Sequence, residues 1–204
     1  GRTHPGRSIV LLDGAKKLGA KILVAGGGRC NVTHYKVDSK RYAGSSSSAI
    51  AKVLRQFDVS ETEQFFKELG VTLKREETGK LFPTTDRSKD VLNALLRAAE
   101  KVNVTIRYPR RVNDVGRTSA GFFVSGEWGR LECEQLVLAT GGKSLPKSGS
   151  DGKGFDFVRT FGHEVTRTFP ALVPLNLQKH DLICQLSGIT LPTTIRLHSN
   201  TGKR

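Results

Sequence analysis

The densest run of residues able to do chemistry is Ala25-Gly26-Gly27-Gly28-Arg29-Cys30-Asn31. Three consecutive glycines cost backbone entropy in any fold, so they predict a place where another group comes close to the main chain. Bare amides beside the Arg29 guanidinium suit a pyrophosphate or the polar edge of a flavin ring. A tight turn carrying a surface Arg is the other reading, although a turn needs one or two glycines rather than three. Asp13 closes the short apolar run Ser8–Leu12. An acid at the end of a parallel strand can accept hydrogen bonds from both ribose hydroxyls of an adenine dinucleotide, and it can also be a plain solvated strand end. Thr140-Gly141-Gly142 ends a second apolar run, Gln135–Ala139. It is either a simple turn or a point where a ligand meets main-chain atoms at the carboxyl edge of a parallel sheet.

Other reactive side chains lack partners in the sequence. Cys30 has an adjacent Arg that would favour a redox-active thiolate, yet no second cysteine is near it, and a small buried packing residue is the simpler expectation. His163 follows Gly162 at a helix end and suits the last carbonyls of that helix. His4, His34, His180 and His198 have no ligand spacing, so no metal site is expected. No Ser/His/Asp arrangement, paired-carboxylate motif or phosphate-binding P-loop is present, and no catalytic residue can be named.

The elements that would position these groups alternate between helix and strand. Ser8–Asp13 reads as a buried parallel strand, and the Gly44–Ser48 stretch leads into a helix over about 48–57. Ser60 with Glu63 reads as a capping box for a helix ending at Gly70. Residues 71–83 read as short extended pieces. Ser88 opens a helix with Val91, Leu92, Leu95, Leu96 and Ala99 on one face, followed by a strand over Val102–Ile106. From Arg111 to Glu134 glycine-punctuated hairpins suggest a small antiparallel β-meander. Gln135–Thr140 reads as a further buried strand, then comes a Gly/Ser/Lys loop and a helix of about eight residues to Phe161. Beyond Pro170 the pattern is strand-like. The fold class is therefore α/β.

The composition narrows the partners. The chain has 204 residues, 37% of them hydrophobic, enough to bury a core, and no run nears the roughly 18 apolar residues of a membrane span. Its formal charge is +14, and the first 60 residues hold eleven Lys/Arg against three Asp/Glu, a surplus that favours an anionic partner. A basic, non-catalytic nucleic-acid-binding module is one explanation. Few aromatics interleave with the cations, however, so no stacking platform is evident and no specific nucleic acid is expected. The three cysteines form no C-x-x-C pair, and with no apolar signal segment at the N-terminus a cytoplasmic protein is expected. Starting at Gly1 and lacking Met, the chain also reads as part of something longer.

Four segments together carry a family resemblance: Ala25–Thr33, Gly79-Lys80-Leu81-Phe82-Pro83, Leu138–Ser144 and Phe169–Leu175. In this order and spacing the chain resembles the bacterial NAD(P)/FAD-dependent oxidoreductases of the aminoacetone-oxidase-like and bile-acid dehydro-reductase-like kind, across nearly all of residues 8–190. The resemblance implies an FAD-binding Rossmann-like fold of the two-dinucleotide-binding-domain type. In it, 1–174 would be an incomplete FAD-binding domain and 175–204 the beginning of an inserted, β-rich substrate-side domain. It implies non-covalent FAD, with NAD(P)H as electron donor and a small-molecule substrate. Asp13 would hold the adenosine ribose, where the family usually has Glu. Gly26, Gly27, Gly28, Arg29, Cys30 and Asn31 would line pyrophosphate and flavin. Val112 would meet adenine through its backbone, and Thr140, Gly141 and Gly142 would lie against the cofactor. The family's G-x-G-x-x-G loop belongs about 20 residues before the acid, which falls upstream of Gly1.

Overall fold

A computed structural model of the chain describes residues 1–170 apart from 45, 145, 147 and 148, together with positions 176, 178, 180, 181, 183, 194, 196, 198, 199, 202 and 203. The chain divides into two units, Gly1–Arg167 and Thr168–Arg204; the sequence reading draws this boundary at 174. In the second unit a short antiparallel pair, β9 (His198–Ser199) with β10 (Gly202–Lys203), is described. Most of the Phe169–Leu175 motif and of the 175–204 domain lies outside the described residues.

The first unit is α/β, built on three small sheets. Strand β1 (Val10–Leu12) pairs in parallel with β5 (Thr105–Arg107), with Val10 opposite Thr105 and Leu12 opposite Arg107. The parallel strand read from Ser8–Asp13 is thus present, but it is not buried on both faces: Leu11 is 45% exposed. With one paired neighbour among the described residues, β1 has a layer over its Leu12 side but neither a second flanking strand nor a cover on the Leu11 side. Strand β5 also starts later than the Val102–Ile106 reading, because Val102 ends the preceding helix and Asn103 turns the chain at φ +56°.

Helix α1 (Ala20–Val24) runs into a 3-10 turn over Ala25–Gly28, and β2 (Thr33–His34) follows. Helix α2 (Ser47–Leu54) is capped by Ser46, whose hydroxyl accepts from the Ala49 amide at 3.2 Å. Helix α3 (Val59–Glu68) begins earlier than the Ser60/Glu63 box predicts. The box is made by Asp58 and Glu61: Asp58 Oδ1 accepts from the Glu61 amide at 2.9 Å, and Glu61 Oε2 accepts from the Asp58 amide at 2.8 Å. Both pairs have the same spacing, and Asp58 adds a full negative charge at the positive end of the helix.

Strands β3 (Leu73–Arg75) and β4 (Lys80–Pro83) complete a three-stranded antiparallel sheet in the order β2-β4-β3. Helix α4 (Ser88–Lys101) starts at the residue read from the sequence, and its Ser88 hydroxyl donates to the Leu23 carbonyl at 3.2 Å, fastening α4 to α1. Val91 and Ala94 of α4 join Cys30 and Val71 in one buried cluster, with Ile22, Phe66 and Leu69 packed around it.

The β-meander forms as read, with β6 (Asp114–Thr118), β7 (Gly121–Gly126) and β8 (Gly129–Cys133) in sequential antiparallel order. Val115 and Val124 of the meander make a second core with Phe157 of α5 (Lys153–Thr160). Leu12, Val112, Leu136 and Leu138 pack against that core. The strand expected over Gln135–Thr140 does not form. Leu136 and Leu138 turn inward while Val137 is 84% exposed, so the segment keeps alternation without a ladder. An apolar alternating run becomes a strand only where a neighbour accepts its backbone bonds, and none does here among the described residues.

Candidate functional site

The glycine run folds into a left-handed turn. Gly26, Gly27 and Gly28 have φ of +57°, +69° and +88°, values that a side chain would strain, and Cys30 adopts +64° as well. The three glycines are not equivalent. A Cβ on Gly26 would lie 2.7 Å from Phe82 Cε1 and 2.9 Å from the Asn31 amide nitrogen. Among the described residues, a Cβ on Gly27 would meet nothing within 4 Å, and one on Gly28 only the Leu23 carbonyl oxygen at 3.8 Å. Gly26 is therefore glycine because of the fold, whereas Gly27 and Gly28 leave a bare main-chain surface facing open space. Asn31, directly after the turn, is exposed.

Arg29 and Cys30 point elsewhere. The Arg29 guanidinium bonds Glu76 Oε1 at 2.5 Å, lies 3.7 Å from Asp86 Oδ1 and stacks 4.1 Å above the Phe82 ring. Cys30 is 6% exposed, and burial pushes its thiol up from the ordinary value. A thiol so shifted stays protonated at neutral pH, which fits packing and not nucleophilic chemistry. Alkylation followed by peptide mapping should therefore label Cys30 only after denaturation. Because the unfolded thiol ionises first, this residue's contribution to stability should decline as pH rises above about 8.5, the unperturbed thiol value, and be unchanged below it. Rapid labelling of Cys30 in the native protein would contradict this.

Asp13 follows β1 directly. Its amide donates to the Arg107 carbonyl at 3.1 Å, its carbonyl accepts from the Arg110 amide at 2.7 Å, and its Oδ1 accepts from the Ala15 amide at 2.8 Å. The chain from Arg110 to Val112 is thereby laid beside the acid. Gly14 abuts Arg111 so closely that a Cβ there would sit 2.9 Å from Arg111 Cδ, and the Trp128 indole donates to the Arg111 carbonyl at 2.6 Å. Val112, next in the chain, packs against the meander core.

Thr140 leans on the first turn of α5, and Gly141 on the loop before it. A Cβ on Gly154 would collide with Thr140 Oγ1 at 1.9 Å, and one on Gly141 would lie 3.1 Å from Ser150 Oγ. Lys21 of α1 donates to Ser144 Oγ at 2.7 Å and to the buried Ser150 Oγ at 3.1 Å. Arg111 donates to Asp151 Oδ2 at 2.6 Å. The Lys153 amide, and then the Arg111 charge, hold the Asp151 carboxyl below its usual range. Thus Asp13, the 110–112 segment, residues 140, 141, 144, 150 and 151 and the helix leading into the glycine turn are joined into one neighbourhood.

The sequence does not single out the connecting residues Lys21, Arg111, Ser150 and Asp151 as part of a site. Lys21 and Ser150 are 129 positions apart, and no local spacing announces such a pair. Two shallow clefts are present, one beside α3 and one of about 740 Å³ along α4 and β5, and neither includes a residue of this neighbourhood. Among the described residues no group of three or more His, Cys, Asp or Glu could hold a metal ion, and no helix is long and apolar enough to cross a membrane.

Comparison with known proteins gives this arrangement a family. Residues 2–195 match the model of the HI0933-like protein Rossmann domain. The chain belongs to the HI0933-like family. That assignment agrees with the flavoprotein oxidoreductase resemblance carried by the four sequence segments. One relative, the 3-dehydro-bile acid delta(4,6)-reductase of Clostridium scindens, is 33% identical over 179 residues, 88% of this chain and 44% of its own length. The ribosomal RNA dihydrouridine synthase of Escherichia coli is 32% identical over 198 residues, 96% of this chain and 49% of its own. The protein of the same name from Haemophilus influenzae is 29% identical over 195 residues, 93% and 48%. The chain spans about half the length of the curated relatives it matches.

Proposed function

We propose that this HI0933-like chain forms the FAD-binding part of an oxidoreductase that saturates a carbon–carbon double bond conjugated to a carbonyl. The observation that supports it best is the glycine turn, left-handed at all three positions and bare of neighbours at Gly27. Such a surface fits the pyrophosphate and ring edge of FAD, because a cofactor can lie directly on main chain where no Cβ intervenes. Asp13 would accept the ribose hydroxyls, the Val112 backbone would face adenine, and Thr140, Gly141 and Gly142 would close on the cofactor from the other side. Gly26, Gly28, Arg29, Cys30 and Asn31 would shape the turn around it.

Bound FAD would supply two-electron transfer from NAD(P)H to the substrate, and the protein's part is to position the reactants and exclude competing reactions. The choice of substrate class follows from the relatives' names. A delta(4,6)-reductase of a 3-dehydro bile acid and a synthase of dihydrouridine both end with a carbon–carbon double bond reduced near a carbonyl, so a shared hydride chemistry links two unlike substrates.

The charge favours the nucleic-acid member of that pair. Lys16, Lys17, Arg107 and Arg110 are exposed and lie at or just after the carboxyl ends of β1 and β5, within a chain of net charge +14. A polyanion would be drawn to this end, with affinity falling steeply as salt rises. The test is anaerobic reduction of the full-length protein by NADPH or NADH, followed by addition of either unmodified ribosomal RNA or a steroid dienone. Reoxidation by RNA with formation of dihydrouridine supports the charge-based choice, and reoxidation by the dienone alone supports the other substrate. A protein that NAD(P)H reduces but that neither acceptor reoxidises would overturn the double-bond chemistry.

A further inference from the structure

The residues around Arg29 carry an inference that rests on the FAD reading and revises how one of its residues acts. Arg29 follows the glycine turn, where a free guanidinium would be expected to meet a pyrophosphate. In the structure it is not free. Its Nη1 is 2.5 Å from Glu76 Oε1 in the β3–β4 connection and 3.7 Å from Asp86 Oδ1 beyond β4. Its guanidinium carbon lies 4.1 Å over the fully buried Phe82 ring of β4, the same ring that a Cβ on Gly26 would strike. Asp86 is itself held in place: its other oxygen pairs with Lys74 and its backbone is left-handed at φ +53°. Among the described residues the buried Asp86 Oδ1 has no hydrogen-bond partner, so the nearby Arg29 charge is what compensates it.

We infer that Arg29 is a positioning residue: it clamps the glycine turn to β4 through Glu76, Asp86 and Phe82, and supports FAD through the main chain it holds and not through its own charge. Two cations, Arg29 and Lys74, face two carboxylates, Glu76 and Asp86, so the cluster has no charge left over for a phosphate. The guanidinium can serve both carboxylates and the ring at once because it is planar and offers several donors; a lysine cannot reproduce this.

The test uses the full-length protein and two ligands, FAD and riboflavin, which lacks the pyrophosphate. Arg29→Gln is expected to weaken both by a similar factor, on the order of tenfold, the loss expected when one charge-assisted hydrogen bond is removed. Glu76→Ala/Asp86→Asn should cause a similar loss, with little more when Arg29→Gln is added. Arg29→Lys should not restore FAD affinity. Loss of FAD binding with riboflavin binding intact, or full restoration by Arg29→Lys, would overturn the inference and return Arg29 to the pyrophosphate. Amide hydrogen exchange over residues 26–31 in flavin-free protein tests the clamp without any ligand. Faster exchange in both the Arg29→Gln and the Glu76→Ala/Asp86→Asn proteins is expected, and unchanged exchange would also overturn it. A wild-type protein that binds neither flavin would contradict the FAD reading alone, because the exchange measurement still decides the clamp.

Discussion

Gly27→Val in the full-length protein is expected to abolish FAD binding while leaving the chain folded. The position is left-handed at φ +69°, and its Cβ would point into space with no atom of the described residues within 4 Å. The substitution therefore costs only backbone strain, about 1–2 kcal/mol for an L-residue in that region. For a domain the size of this chain each kcal/mol lowers the melting midpoint by about 2–4 °C, and by less in a longer cooperative unit. The same branched side chain would stand on the surface where the cofactor is proposed to lie, so the yellow colour of the purified protein should disappear. Flavin absorbance equal to that of the wild type, with a melting curve showing the variant folded, would contradict the assignment of this turn.

Gly26→Val, one residue earlier, should instead destabilise the fold itself. It combines the same backbone strain with an overlap against Phe82 Cε1 at 2.7 Å and the Asn31 amide at 2.9 Å. Phe82 is fully buried and the Asn31 amide belongs to the main chain, so neither can move aside cheaply. Strain and overpacking together are worth roughly 2–5 kcal/mol, a large part of the stability of an ordinary domain. The denaturant midpoint should fall with an unchanged slope. Equal midpoints for the Gly26→Val and Gly27→Val proteins would show that the turn does not separate a packed glycine from an open one.

How far these roles can be read without coordinates depends on the range of the interaction. The β-meander, α4 from Ser88 and α5 up to Phe161 follow from local periodicity and glycine punctuation, and all are present. The α3 cap read at Ser60/Glu63 lies two residues too late: Asp58-Val59-Ser60-Glu61 has the same spacing, and the geometry selects it. Gln135–Thr140 has the composition of a strand but lacks a partner, and pairing is a property of two segments. The glycine run is legible as a stretch of bare main chain, while its division into packed Gly26 and open Gly27 depends on Phe82, which is distant in sequence. Arg29 shows the same limit most clearly: its type and neighbours suggest a phosphate ligand, while its carboxylate partner Glu76 stands 47 residues away.

The most direct test of the central claim is the flavin content of the full-length protein, measured by releasing bound cofactor on denaturation and then reducing the native holoprotein with NAD(P)H. Stoichiometric FAD, bleached by NADPH or NADH and lost in the Gly27→Val variant, is the predicted result. A folded full-length protein that carries no flavin and takes up none from solution would contradict it.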